Sequence, residues 1–126
     1  MECNPATVSR EKAELFRAIG VNRVSMGVQS FDEQLLERLG RIHSREQVFK
    51  SYEVLRSVFE NINIDLMFGI PTQTMEVWKA TLGEATARLT IAAASATRIR
   101  LIVTRSPTWA RTFGYINGTA RLTAIG

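Results

Sequence analysis

Cysteine is almost missing from this chain. The single Cys3 excludes an internal disulfide and offers at most one thiolate to a metal. Histidine is equally scarce: His43 stands alone, with no second His or Cys at ligand spacing. No apolar run reaches the ~18 residues of a spanning helix and no basic-then-apolar leader opens the chain, so a cytoplasmic location without a membrane span is expected. Neither Gly-x-Gly-x-x-Gly nor Gly-x-x-x-x-Gly-Lys-Ser/Thr occurs, which leaves nucleotide binding through a Gly-rich phosphate loop unsupported. A Gly-x-Ser-x-Gly elbow is absent as well. There is no basic run interleaved with aromatics, so no nucleic-acid partner is expected.

Acid is missing from one part only. Residues 1–84 hold all 12 carboxylates against 10 of the 16 Lys and Arg, a net charge of −2, whereas residues 85–126 hold six Arg and no acid, a net charge of +6. The overall +4 therefore belongs to the tail. Natural surfaces mix both signs of charge, so 42 residues without Asp or Glu are a poor continuation of a domain that contains 12. The expectation is two segments, 1–85 and an Ala/Thr/Arg-rich 86–126, separated by a shifted reading frame or chimeric join near residue 85. A genuine basic tail is the alternative.

What is present is organised around Val21 to His43. Val24, Met26 and Val28 alternate with Ser25, Gly27 and Gln29, as in a strand with one apolar and one small, polar face. Ser30-Phe31-Asp32-Glu33 then reads as a capping box, and Leu35, Leu36 and Leu39 recur at helical spacing until Gly40. The pattern returns in 61–68, where Ile62, Ile64, Leu66 and Phe68 share one face and Asn63, Asp65 and Met67 the other. Strands of an open sheet covered on both sides would be apolar on both faces; these fit the staves of a barrel with a polar lumen. A closed (β/α)₈ barrel needs roughly 250 residues, so only part of one is expected.

The remaining elements follow from local signals. Glu2 to Pro5 reads as a strand end, with Pro5 forcing Asn4 out of helical geometry. Ser9 caps a helix with an inner stripe of Ala13, Phe16 and Ile19, ending at Gly20. Ser44-Arg-Glu-Gln47 is a second capping box, opening a helix with Val48, Tyr52 and Leu55 on one side. Gly69-Ile-Pro-Thr72 is a turn, and Met75 to about Ala85, with Val77, Trp78 and Leu82, is the last well-supported helix. Ile99 to Val103 has the make-up of a further strand. The order is that of parallel strands joined by helical crossovers.

In such sheets ligands collect at the carboxyl ends of the strands. Glu2, Gln29 and Asp65 lie near that rim. Each also has a structural reading: Glu2 solvated at the chain start, Gln29 satisfying backbone groups at the strand–helix turn, Asp65 bonded to backbone N–H groups or to Arg. Arg41, just past Gly40, is placed to reach an anionic group over the rim, or else is solvated among Glu37, Arg38 and Arg45. Phe68 and Trp78 belong to the core.

Four stretches, Glu2–Val8, Gly20–Phe31, Leu39–His43 and Asn63–Thr74, together resemble the central part of the radical S-adenosylmethionine family of oxygen-independent coproporphyrinogen III oxidases and their haem-chaperone relatives. The resemblance covers residues 1 to about 85. It implies an α/β fold, a partial parallel (β/α) barrel of the radical S-adenosylmethionine type that is incomplete in this chain. It also implies S-adenosylmethionine and a 4Fe–4S cluster in the intact protein, with Glu2 and Asp65 as acceptors for S-adenosylmethionine, Gln29 as a lumen contact and Arg41 as partner of the methionyl carboxylate. The cofactor supplies the radical chemistry while the protein orients and excludes water. The family's Cys-x-x-x-Cys-x-x-Cys loop has no counterpart here and Cys3 matches none of its ligands, so no catalytic or metal-binding residue is assigned and the chain alone should lack activity. Asn4-Pro5, Gln29-Ser30-Phe31 and Leu39–His43 are more similar to the haem-chaperone branch, which implies haem as partner and an unspecified recipient protein. A coproporphyrinogen III oxidase and an inactive remnant are the alternatives.

Overall fold

Four strands run parallel in chain order: β1 (Glu2–Cys3), β2 (Arg23–Gln29), β3 (Asn61–Phe68) and β4 (Ala96–Val103). A two-residue strand, β5 (Arg121–Leu122), adds to β4 in the antiparallel sense. The computed structural model describes residues 1–89, 96–103 and 121–122; the remainder of the expected tail segment lies outside the described residues. Helices α1 (Arg10–Ala18), α2 (Glu33–Arg38), α3 (Arg45–Val58) and α4 (Met75–Leu89) fill the crossovers. Parallel neighbours need such crossovers, and sequential order is the topology of a barrel segment rather than of a doubly wound sheet.

The apolar alternation places the core. Val24, Met26 and Val28 of β2 and Ile62, Ile64 and Leu66 of β3 are fully buried, joined by Ala13 of α1, Val48, Tyr52 and Leu55 of α3, and Trp78, Ala85 and Leu89 of α4. Full burial of one such side chain is worth roughly 1.5–3 kcal/mol, so this face dominates the stability of the sheet. Tyr52 ties the layers together: its hydroxyl donates to the Leu89 carbonyl and shares a hydrogen bond of 2.9 Å with Thr97 Oγ1 on β4. Ser51 Oγ donates to the Pro5 carbonyl at 2.6 Å, anchoring the 3₁₀ turn Pro5–Thr7. Phe68 lies half-buried against Trp78, with ring centroids 4.9 Å apart.

Local signals act largely as read. Ser9 caps α1 and Ser44 with Gln47 forms the reciprocal capping box of α3. Asn4 is extended before Pro5. Gly40, at φ +65°, closes α2 in a Schellman arrangement, with the Gly40 N–H on the Glu37 carbonyl and the Arg41 N–H on the Leu36 carbonyl.

Four expectations are corrected. The cap of α2 is Asp32, whose Oδ1 accepts from the Leu35 N–H at 2.9 Å; Ser30 instead accepts from the Asp32 N–H in the turn before it. Both residues are good caps, and the bulged end of β2 leaves the helix to begin two residues later than the Ser-first box requires. Ile19 is not part of the α1 stripe: it is the C-cap residue, and it is exposed. The chain turns at Gly20, and Val21, with its N–H on the Phe16 carbonyl, packs against the core beside Phe16. Helix α4 runs past Ala85 to Leu89, because Trp78, Thr81, Ala85 and Leu89 make one continuous buried line across the change in composition. Strand β4 begins three residues earlier than Ile99, and all eight of its residues pair with β3.

Candidate functional site

Opposite the apolar face, the sheet carries a polar row set by register. Ser25 pairs with Asn63, Gly27 with Asp65, and Asp65 in turn with Arg100. Asn63 Nδ2 donates to Ser25 Oγ at 3.2 Å, so the two strands are hydrogen-bonded through side chains as well as backbone. In-register parallel neighbours present their side chains to the same face, and this is why residues remote in sequence meet here.

Asp65 is buried and holds a bidentate pair. Arg100 Nε donates to Asp65 Oδ1 at 2.7 Å and Nη2 to Oδ2 at 2.6 Å, while the same Nη2 stands 3.6 Å from Glu2 Oε1. The bond to Asp65 is the main cause that raises the Arg100 pKa above its ordinary value, against an opposing burial effect. Of the readings open to Asp65, the pairing with Arg is the one realised. Glu2 is solvent-exposed and joins the pair from the edge.

Gln29 is unusual in three ways at once. It ends β2 at φ +68°, a conformation that residues with a Cβ rarely adopt; it follows a register shift between Gly27 and Gln29; and its Oε1 is buried without a partner among the described residues. Its side chain lies over Gly27, where a Cβ would come within 3.0 Å of Gln29 Nε2. A buried amide oxygen with no donor costs about 1–3 kcal/mol, and strain of this kind gathers at ligand sites.

Arg41 is half-buried at the end of α2 and forms no ion pair with Glu2 or Asp65 among the described residues. Its charge is felt by His43, whose Nε2 meets the Val28 carbonyl at 3.1 Å. Burial pushes the His43 pKa down, the Val28 contact opposes this, and the Arg41 charge adds to the lowering. Thus Glu2 and Asp65 are brought together by Arg100, Gln29 lies two residues beyond Gly27, the register partner of Asp65, and Arg41 remains apart beside His43.

Two participants escape sequence reading. Arg100 has no local signal, since its partner lies 35 residues away. Gln73 is the other: its Oε1 accepts from the Gly69 N–H at 2.8 Å and its Nε2 donates to the Met67 carbonyl at 3.4 Å, holding the turn after β3, where Thr72 sits at φ +71°. The Pro71-Thr72 composition announces a turn but not the side chain that pins it.

Parallel strands in chain order with helical crossovers define an α/β barrel segment. The model of the radical SAM superfamily matches residues 1–85, and the chain belongs to that superfamily. The heme chaperone HemW of Bacillus subtilis (strain 168) is 49% identical over 77 residues, 60% of this chain and 20% of that protein. The oxygen-independent coproporphyrinogen III oxidase of a Synechocystis strain is 32% identical over 83 residues, 65% of this chain and 18% of that protein. Among solved structures, the radical SAM enzyme coproporphyrinogen III oxidase (HemN) of Escherichia coli superimposes with a TM-score of 0.71 at 30% identity, over 85% of this chain and 24% of that one. The chain spans about one-fifth of the length of these curated relatives. The expected partial barrel and the expected family are both found.

The residues do not fit a 4Fe–4S cluster. Cys3 is the only cysteine, burial pushes its thiol up to about 11, and no group of three His, Cys, Asp or Glu that could hold a metal occurs among the described residues. The residues expected to meet S-adenosylmethionine fit in kind, since two carboxylates and an unpartnered amide oxygen suit a cation that also donates hydrogen bonds. In occupancy they do not: both oxygens of Asp65 are engaged by Arg100. No helix among the described residues is long and apolar enough to cross a membrane.

Proposed function

We propose that this chain is the central portion of a radical S-adenosylmethionine protein of haem and porphyrin metabolism, of the haem-chaperone kind, which in its intact form binds haem and passes it to a recipient protein. The observation that carries this reading is the 49% identity to a haem chaperone over 77 residues of this chain. In the intact protein Glu2 and Asp65 act as acceptors for S-adenosylmethionine, Gln29 supplies a lumen contact and Arg41 meets the methionyl carboxylate. The strained backbone and unpartnered Oε1 of Gln29 support its part in this. The cofactor would supply the radical chemistry; the chain's own part is to orient it and keep water out. Residues 86–126 derive from a shifted frame or a join near residue 85, a reading supported by the loss of every carboxylate beyond Glu84.

A second reading, oxidative decarboxylation of coproporphyrinogen III, is favoured by the superposition on the Escherichia coli oxidase. Reading the gene and its flanks in all three frames tests the first proposal. A three-cysteine loop upstream and a resumed barrel downstream of residue 85 are expected; an unbroken frame in independent reads, with neither feature, overturns it. On the intact protein, haem transfer without protoporphyrinogen formation is expected, and protoporphyrinogen as product selects the oxidase.

A further inference from the structure

We propose that Arg100 is a built-in occupant of the carboxylate pair Asp65 and Glu2, excluding free cationic ligands from the polar face; for S-adenosylmethionine in particular the inference rests on the site assignment above. The guanidinium satisfies both Asp65 oxygens at 2.7 and 2.6 Å and still lies 3.6 Å from Glu2. This is not a chance rotamer, because the eight-residue register of β3 with β4 sets Arg100 directly opposite Asp65. Arginine's planar fork matches a carboxylate in a way no single ammonium or sulfonium does. A tethered group also competes at an effective concentration in the millimolar range or above, so a free cation must displace a partner that never diffuses away. The Arg100 side chain is 38% exposed and that of Asp65 only 7%, so the guanidinium covers the carboxylate on its solvent side. Close by, the buried Gln29 Oε1 receives no donor from any described residue. Arg100 thus closes the acidic part of the face and leaves the amide part unfilled.

The test uses the complete chain, its Arg100→Ala variant, and equilibrium dialysis with two probes, S-adenosylmethionine and methylguanidinium. Circular dichroism and thermal melts establish that each protein is folded. Wild type should bind neither probe at millimolar concentration, whereas Arg100→Ala should bind methylguanidinium at least about tenfold more tightly. If Arg100→Ala melts below the assay temperature, Arg100→Gln, which is shorter and keeps a donor but not the charge, takes its place. S-adenosylmethionine binding by the variant, lost again on Gln29→Ala, supports both the occupancy and the site assignment. Methylguanidinium binding without S-adenosylmethionine binding supports the occupancy and overturns the assignment. Equal binding of S-adenosylmethionine by wild type and variant overturns the occupancy and leaves the assignment standing. A folded variant that takes up neither probe overturns the occupancy.

Discussion

Residues 1–84 and residues 85–126 enter the same sheet by different means. In the first, caps, stop signals and alternation each point to the element that forms: Ser9, Ser44 and Gly40 act where they stand, and β2 and β3 bury Val24, Met26, Val28, Ile62, Ile64 and Leu66 on one face. In the second, β4 owes its place to contacts made from outside it. Backbone register with β3, the Tyr52 hydroxyl on Thr97 and the Asp65 carboxylate on Arg100 hold it, while Ile99 is its only fully described core residue with low exposure. A strand from an acid-free segment is thus seated where a neighbouring strand offers a pairing edge and a counter-charge. All the acid lies on one side of residue 85 and a basic excess on the other, and among the described residues the two meet in the bidentate Arg100–Asp65 pair, in Arg100–Glu2 at 3.6 Å and in Arg88–Glu84 at 3.8 Å.

Ile64→Ala, in the centre of β3, should lower stability by about 2–5 kcal/mol in urea unfolding, and Leu101→Ala in β4 by distinctly less; equal losses would erase the difference between the two strands. A double-mutant cycle on Asp65→Ala and Arg100→Ala should return a coupling of about 1–2 kcal/mol, discounted from the value of a dry pair because Arg100 is part-exposed. Coupling near zero would mean that β4 is held by backbone alone. Tyr52→Phe, which removes the hydroxyl between α3, α4 and β4, should cost about 1 kcal/mol by the same method.

Two smaller effects concern titration. Burial favours neutral His43, so its folded pKa lies below the ordinary value near 6.5 and the unfolded chain binds more protons in the interval between them. Stability is then fully present above that ordinary value and declines as pH falls through the interval. Thermal midpoints should drop from pH 7 to pH 5.5, and less so in His43→Gln; identical slopes would show that another group controls the acid limb. Cys3, with its thiol pushed up to about 11 from 9.0, should react with iodoacetamide at pH 8 roughly a hundredfold more slowly than an unhindered cysteine, since the thiolate is the reactive form. Reaction at the free rate would place Cys3 in water.

Much of the fold is legible in the sequence because its determinants are local. Alternation, capping residues and glycine stops act over a few positions, and α1 to α3, β2 and β3 follow from them. Where the reading slips, a choice between equivalent local signals is settled at a distance. Ser30 and Asp32 are both competent caps, and the bulge at the end of β2 selects Asp32. The composition change at Thr86 is invisible to α4, which responds to a buried line reaching Leu89. For the candidate site, facing and position single out Glu2, Gln29 and Asp65 as candidates, but the arginine that bridges Glu2 and Asp65 is not legible. It is one arginine among the six of the tail, and only the β3–β4 register distinguishes it.

The turn after β3 is pinned by a single side chain. With Gln73 bridging the Gly69 N–H and the Met67 carbonyl, and Thr72 already held at φ +71°, this rim segment is ordered by the chain itself. The conformational entropy of that loop is surrendered during folding, so a molecule docking above β3 would meet a preset wall instead of ordering one, and would retain more of its contact energy as affinity. Amide exchange at Gly69 should accordingly be slow before any ligand is added and little changed afterwards.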